Sequence, residues 1–144
     1  MIDKETADKK VKEGWIKAWF MFEAIAINEN IVKEALEDLI KKLENDKRTE
    51  ICKKQFLDAK KLQKPLEAIK EGFSQVCEIE LICKNFDNLV RIVLEYGPSA
   101  AEILEPKKIG LNIADAQGIL NSIAEMMHRF AQAGVGGIII ARGE

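Results

Sequence analysis

The sequence is poor in the residues that most catalytic and metal sites require. Its 144 residues include one histidine, one tyrosine, three prolines and three cysteines. An odd number of cysteines without an export signal argues against a disulfide framework, and reduced, partly buried thiols are predicted at Cys52, Cys77 and Cys83. Cys77 and Cys83 share one strand face, but six residues of strand separate them by roughly 20 Å, too far for one metal ion. No metal or cofactor site is predicted.

The sequence also lacks an excess of charge and a long apolar run. It has 22 Lys and Arg against 24 Asp and Glu, a formal net charge of -2. This balance provides no electrostatic basis for binding a polyanion, including single-stranded RNA on the sheet. No apolar run approaches the roughly 20 residues of a membrane helix, and the start, Met1–Glu5, has no signal-peptide hydrophobic region. We therefore predict no nucleic-acid partner, no membrane association and a cytoplasmic location.

Two periodicities alternate along the chain in the order of a β-α-β-β-α-β fold. Apolar residues recur at every second position in the predicted strands and at helical spacing in the predicted helices. In chain order, these are strand 15–27, helix 31–43, strand 49–58, strand 73–84, helix 86–96 and strand 99–105. The order predicts an α+β ferredoxin-like sandwich, in which an antiparallel sheet carries helices on one face. A long helix capped by Asn112 and a short extended tail follow it. The predicted apolar stripe of this helix consists of Ile113, Ala116, Ile119, Leu120, Ile123, Met127 and Phe130.

The predicted domain organisation is a single folded unit. Residues 1–10 are charged and lack periodicity, which predicts a frayed N-terminus. Residues 11–106 form the ferredoxin-like domain, and residues 107–144 form the appended helix and hydrophobic tail of the same domain. Pro65 is predicted to begin a short helical segment that Gly72 ends.

The first predicted strand is apolar on both faces. Its even-numbered residues should face the helices. Its odd-numbered residues include Trp15, Trp19, Met21 and Ile25, which is too apolar for a face open to water. Tryptophan is enriched at the centres of interfaces. We predict that the long C-terminal helix or a second copy of the chain covers this face.

A second apolar feature follows the long helix. Ile138, Ile139 and Ile140 would be an aggregation hazard if left free, so we expect them to pair as an added strand or to dock on a partner subunit. The preceding Gly134–Gly137 does not suit a phosphate loop, because such loops follow a strand and no Gly-Lys-Ser/Thr sequence is present. The interface candidates are Trp15, Trp19, Met21, Ile25, Ile138, Ile139 and Ile140.

The second half of the predicted sandwich resembles a known module. Phe86–Pro106 contains a helix that ends at Tyr96-Gly97 and a short strand that closes on Leu104-Glu105-Pro106. This is similar to the C-terminal extension domain of WYL-type bacterial transcription regulators. The resemblance implies a sensory or assembly module without catalytic residues. No helix-turn-helix or WYL domain precedes it, so DNA binding is not implied.

The sequence favours a non-enzymatic module that forms a homo-oligomer and senses a small-molecule effector or binds a protein partner. The alternative is a small enzyme with its active site in a subunit cleft, using His128 or Tyr96. A histidine general base needs an orienting partner, and the sequence identifies none for His128. No catalytic residue is therefore predicted.

Overall fold

The computed structural model describes residues 1–66 and 69–133, and the side chains of all of these except 64–66 and 69–70. Its elements in chain order are α1 (Lys4–Lys12), β1 (Ile16–Ala26), α2 (Glu29–Glu44), β2 (Thr49–Phe56), β3 (Lys60–Leu66), β4 (Ile69–Cys83), α3 (Phe86–Tyr96), β5 (Ala100–Glu105) and α4 (Ile113–Gln132).

The described strands form one antiparallel sheet. Its order is β2-β4-β1-β5, and β3 also pairs with β4. β1 and β4 lie at the centre and pair along their length, from Ile16 opposite Cys83 to Ala26 opposite Phe73. β2 pairs with the second half of β4 and β3 with the first half, so these two strands lie along the same edge of β4. The predicted α+β class is confirmed, and β3 is one strand more than a four-stranded ferredoxin-like sheet has.

The core lies between the sheet and the helices α2 and α3. The even-numbered residues of β1 face inwards as predicted, and Phe20 and Phe22 are buried with their rings edge to face at 6.0 Å. The alternation works because successive strand residues point to opposite faces. Most of the other buried core residues come from α2, β4 and α3, and they include Leu36, Ile40, Leu43, Cys77, Ile79, Leu81, Cys83, Leu89 and Ile92.

Asparagine side chains begin three of the four described helices. Asn28, Asn85 and Asn112 each accept a hydrogen bond of 2.8 Å from the backbone N–H three residues later. Such caps satisfy a donor that the helix itself leaves unpaired. α3 ends at Gly97, whose φ of 59° is the left-handed conformation that glycine adopts without strain. The predicted start and end of α3 and the predicted Asn112 cap of α4 are confirmed, whereas α2 begins two residues before the predicted position 31.

The prediction of a helical segment from Pro65 is wrong. Residues 60–66 form the strand β3, which pairs antiparallel with β4 from Lys60 opposite Ser74 to Leu66 opposite Ile69. β3 lies at an edge of the sheet, where a residue without an N–H can be tolerated. Gly72 lies inside β4 instead of ending a helix.

The prediction of a frayed N-terminus at residues 1–10 is wrong as well. Asp3 caps α1 by accepting a hydrogen bond of 2.7 Å from the Thr6 N–H. Lys10 of α1 forms an ion pair with Glu50 of β2, in which Nζ lies 2.6 Å from Oε2. Glu50 lies on the sheet face opposite α2 and α3, beside the buried Ile82. α1 therefore covers one end of this outer face.

An ionic cluster joins the end of α2 to the end of α3. Arg48 donates from Nη2 to Asp46 Oδ2 at 2.6 Å and to Glu95 Oε2 at 2.5 Å. The Tyr96 hydroxyl donates to the same Asp46 oxygen at 2.9 Å. The hydrogen bonds from Arg48 hold the pKa of Asp46 down at about 2 and lower that of Glu95. The cluster therefore stabilises the fold in its ionised form.

Arg48→Gln is expected to lower the free energy of unfolding by about 1–2 kcal/mol at pH 7, with Asp46 as the main contributor. Glu95 is more exposed, so water screens its share. The folded-state pKa of Asp46 lies below the unfolded value of 3.8. Its contribution is therefore present in full above about pH 5 and is lost as the pH falls towards 2. Urea unfolding at pH 7 and near pH 2 measures this difference.

The matched control is Lys54→Gln, which removes a half-exposed ion pair with Glu44. Exposed pairs contribute little, so this change should alter stability by less than about 0.5 kcal/mol. An Arg48→Gln penalty of the same size at both pH values would contradict the assignment to Asp46 ionisation.

Candidate functional site

α4 packs beside α3 through small residues. Ser122 is buried and donates from Oγ to the Gly118 carbonyl at 2.8 Å. A Cβ placed on Gly118 would lie 3.2 Å from Oδ2 of Asp87 in α3, so glycine permits the close approach of the two helices. Asp87 lies near Gly118, and Arg91 and later residues of α3 lie near Ser122 and the residues after it. The two helices therefore run parallel.

Most of the apolar stripe of α4 is left uncovered by this packing. The stripe follows a heptad spacing of alternating three and four residues, and we call it the α4 seam. It consists of Ile113, Ala116, Leu120, Ile123, Met127 and Phe130. Ile113 is 86% exposed, Leu120 63%, Ile123 41% and Phe130 40%. Within the described residues, the seam is the most extended series of exposed apolar side chains on one helix.

An apolar groove of about 320 Å³ lies between β1, β5, α3 and α4. Phe20 of β1 and Val93 of α3 line it from below and from the side, and Ala101 and Ile103 of β5 form its other wall. Ile123 of the α4 seam completes it. Its lining residues are Ala18, Phe20, Phe86, Leu89, Val90, Val93, Leu94, Ala101, Glu102, Ile103 and Ile123. Ten of these are apolar, so the groove favours an apolar occupant.

β5 forms one edge of the sheet beside this groove. Among the described residues it pairs only with β1, in regular register from Met21 opposite Ala100 to Ala18 opposite Ile103. The register then shifts by one residue, so that Lys17 lies opposite Glu105. Every residue of β5 after Ala100 is exposed. An edge strand of this kind presents a row of backbone N–H and C=O groups that another strand can pair with.

The outer sheet face is less apolar than β1 alone indicated. Trp19 lies opposite Glu80 of β4 and Glu102 of β5, and Met21 lies opposite Glu78. These carboxylates belong to neighbouring strands, so the sequence of β1 alone could not reveal them. The C-terminal helix does not cover this face, because α4 packs against α3 on the other side of the sheet.

Trp15 and Ile25, two further predicted interface residues, lie near opposite ends of β1. Trp15 is partly covered by α1, with the Lys10 Nζ 4.7 Å from its ring centroid. Ile25 is 47% exposed near the other end of β1, opposite Ser74. Ile138, Ile139 and Ile140 lie outside the described residues. The structure thus places Trp15, Trp19, Met21 and Ile25 on the outer face, away from the groove.

The tyrosine and two of the three cysteines are buried in the fold, and the histidine is exposed. Tyr96 donates to Asp46, and burial together with this hydrogen bond raises its pKa to about 12. Burial raises the pKa of the Cys77 and Cys83 thiols to about 11. His128 is exposed on α4. The described residues contain no group of three or more His, Cys, Asp or Glu side chains that could hold a metal ion.

The family comparison matches nearly the whole fold. The model of the MJ0538 family matches residues 17–140, from the start of β1 to beyond α4. The chain belongs to the MJ0538 family. The match includes the groove, β5 and the α4 seam, and it leaves α1 outside. Searches of curated proteins and of solved structures found no match.

No helix in the described part of the chain has the length and apolarity that crossing a bilayer requires. The groove could not be recognised in the sequence, because residues from four separate elements build it. The edge of β5 that has no partner among the described residues depends on the strand order of the sheet, which the sequence does not show. One signal was available for the packing of α4. Gly118 and Ser122 stand four residues apart on one helix face, which is a spacing that permits close helix contact.

Proposed function

We propose that this member of the MJ0538 family is a non-enzymatic, cytoplasmic module that self-associates through the α4 seam. The observation that carries this proposal is the exposure of Ile113 and Leu120, which stand in heptad register on a helix already packed on another side. Exposed apolar surfaces of this extent mark interaction sites. The resemblance to an assembly module in WYL-type regulators points in the same direction and stays a prediction.

The distribution of charge on α4 supports a second copy as the occupant of the seam. The seam positions and their immediate neighbours Gln117 and Ala124 carry no charge. Glu125 and Arg129 lie beside residues of α3. Asp115 is seven residues before Ser122, so it stands on the same side of the helix. A seam without charge fits an equally uncharged surface, and a copy of itself provides one with twofold symmetry.

The same distribution argues against a membrane surface as the occupant. Interfacial helices combine an apolar face with Lys and Arg on the polar face, which bind anionic lipid. The polar face of α4 has the single cation Arg129 against Asp115 and Glu125.

The exposed area of the seam is sufficient for a weak dimer. The exposed fractions of Ile113, Leu120, Ile123 and Phe130 amount to slightly more than two fully exposed large side chains. Burying them contributes roughly 3–7 kcal/mol per copy, and about twice that for two copies. Association costs roughly 4–15 kcal/mol. The seam alone therefore supports modest affinity, and a tight dimer needs further contacts.

A small apolar ligand in the groove is the second candidate function. The groove volume of about 320 Å³ lies at the lower end of the range for ligand pockets. Stabilisation of the protein by medium-chain fatty acids, measured by thermal unfolding, would favour this candidate.

The alternative of an enzyme that uses His128 or Tyr96 stays a prediction, and His128→Ala combined with an activity screen addresses it.

Light scattering over a range of protein concentrations tests the proposed self-association. The mass of the wild type is expected to exceed the 16.2 kDa of one chain. Trp19→Glu places a charge on the outer sheet face and is expected to leave this mass unchanged, because its neighbours Glu80 and Glu102 already make that face polar. A wild-type mass of one chain at all concentrations would contradict the proposal.

A further inference from the structure

The α4 seam faces the same side of the molecule as the edge of β5 that has no partner among the described residues. α-Helical residues advance by about 100° each around the axis. Measured from Ser122, which points towards α3, Ile123 lies about 100° round and Leu120 about 160° in the same direction. Ile123 lines the groove above β5, so the side of α4 at about 100° faces the sheet. Leu120, at about 160°, therefore faces away from α3. The seam therefore points downwards and outwards past the β5 edge.

We propose that β5 pairs antiparallel with β5 of a second copy, so that the two sheets become one continuous sheet with the two α4 seams in contact above the junction. This inference rests on the proposed self-association and assigns its geometry. One twofold axis would cover two features that are separate in the sequence: the edge of β5 that no described residue pairs with, and the uncharged seam of α4. The pairing of the two β5 strands supplies the further contacts that a tight dimer needs in addition to the seam.

The register of this strand pair follows from symmetry. A twofold axis perpendicular to the sheet keeps its two faces distinct, so each residue of β5 lies opposite a residue of its own face. The axis therefore passes between two copies of the same residue, and only Glu102 and Ile103 are central in the strand. An axis at Glu102 would place two carboxylates directly opposite each other, which is destabilising.

An axis at Ile103 avoids this repulsion. Ile103 faces the helix side, opposite Ala18 of β1, and is 43% exposed. Its contact with Ile103 of the second copy would extend the apolar groove across the junction. The Glu102 side chains would lie on the outer face and be displaced from each other along the strands.

Disulfide trapping tests this geometry. Residues directly opposite in an antiparallel pair have Cα atoms about 4.5–5.5 Å apart, within the reach of a disulfide. Ile103→Cys is made in a full-length Cys52→Ser background, because Cys77 and Cys83 are buried. Under mild oxidation we expect most of the Ile103→Cys protein to migrate as a covalent dimer on a non-reducing gel.

The matched control is Ile25→Cys, since Ile25 is 47% exposed against 43% for Ile103 and also lies in a strand. It should remain predominantly monomeric on the same gel. Glu102→Cys tests the register and should cross-link more slowly than Ile103→Cys. An equal rate for Ile25→Cys, or a faster rate for Glu102→Cys, would overturn the proposed pairing.

Two further measurements separate this inference from the proposed function. If light scattering shows a dimer but Ile103→Cys does not cross-link, the pairing of β5 is wrong while self-association stands. If the wild type is a monomer, both are wrong. Hydrogen exchange should show that β5 amides are better protected at high than at low protein concentration. Protection that is independent of concentration but lost when Ile138, Ile139 and Ile140 are replaced by serine would assign the edge to that segment and overturn the proposal.

Discussion

Replacing Leu120 with glutamate is expected to convert the self-associated protein into a monomer. Leu120 lies at the middle of the α4 seam and is 63% exposed in the single chain, so a charge there should not disturb the fold. In the dimer, each copy would have to bury a carboxylate in an apolar contact, which is strongly unfavourable. We expect the dissociation constant to rise at least about 100-fold, or about 2.8 kcal/mol at 1.4 kcal/mol for each tenfold change.

Sedimentation velocity across a dilution series measures this change. Asn121→Glu is the matched control, because it adds the same charge one residue further along α4, on the side away from the seam. Asn121 is exposed, and its Oδ1 accepts a hydrogen bond of 3.3 Å from Gln117 Nε2. The control should keep the wild-type mass. A dimeric Leu120→Glu protein together with a monomeric Trp19→Glu protein would move the interface to the outer sheet face.

The sequence was sufficient for the elements whose apolar period is clear and whose ends carry a cap. β1, α2, α3 and α4 were predicted within a few residues, because Asn28, Asn85 and Asn112 cap the helices and Gly97 ends α3. In these segments local propensity and burial agree, which is the condition under which sequence patterns are informative.

The two wrong predictions have a common physical cause. α1 has a weak apolar pattern, with Ala7 its one buried residue, and it is fixed by the Asp3 cap and by Lys10 bound to Glu50 forty residues away. β3 is a strand because β4 continues beyond the end of β2 and provides a partner for it on the same edge. Tertiary partners decided both segments, and a local pattern does not reveal such partners.

The candidate site was out of reach for a related reason. The stripe of α4 was predicted correctly as apolar, but an apolar period identifies a helix face without identifying what covers it. α4 uses Gly118 and Ser122 against α3 and leaves Leu120 exposed. The acidic neighbours of Trp19 became visible only with the strand register. The sequence indicated an interface on the outer sheet face, whereas the structure favours one on the side of β5 and α4.

The largest loss of stability is expected for Phe20→Ala. Phe20 is 1% exposed, its ring meets that of Phe22 edge to face, and it forms part of the floor of the groove. Truncation of a buried phenylalanine removes transfer free energy and leaves a cavity, at a cost of about 3–5 kcal/mol. Since domains of this kind are stable by roughly 5–15 kcal/mol, this loss is a large fraction of the total.

Urea unfolding measures the effect best in the Leu120→Glu background. Self-association makes apparent stability depend on protein concentration, and a monomeric background removes that dependence. Phe130→Ala is the matched control, because the same truncation at a side chain 40% exposed should cost well under half as much. In the wild-type background the order of effects on assembly should reverse. Phe130→Ala removes seam surface and weakens the dimer, whereas Phe20→Ala weakens folding and leaves the exposed seam intact. Equal effects of the two substitutions on both properties would contradict the separation of the core from the seam.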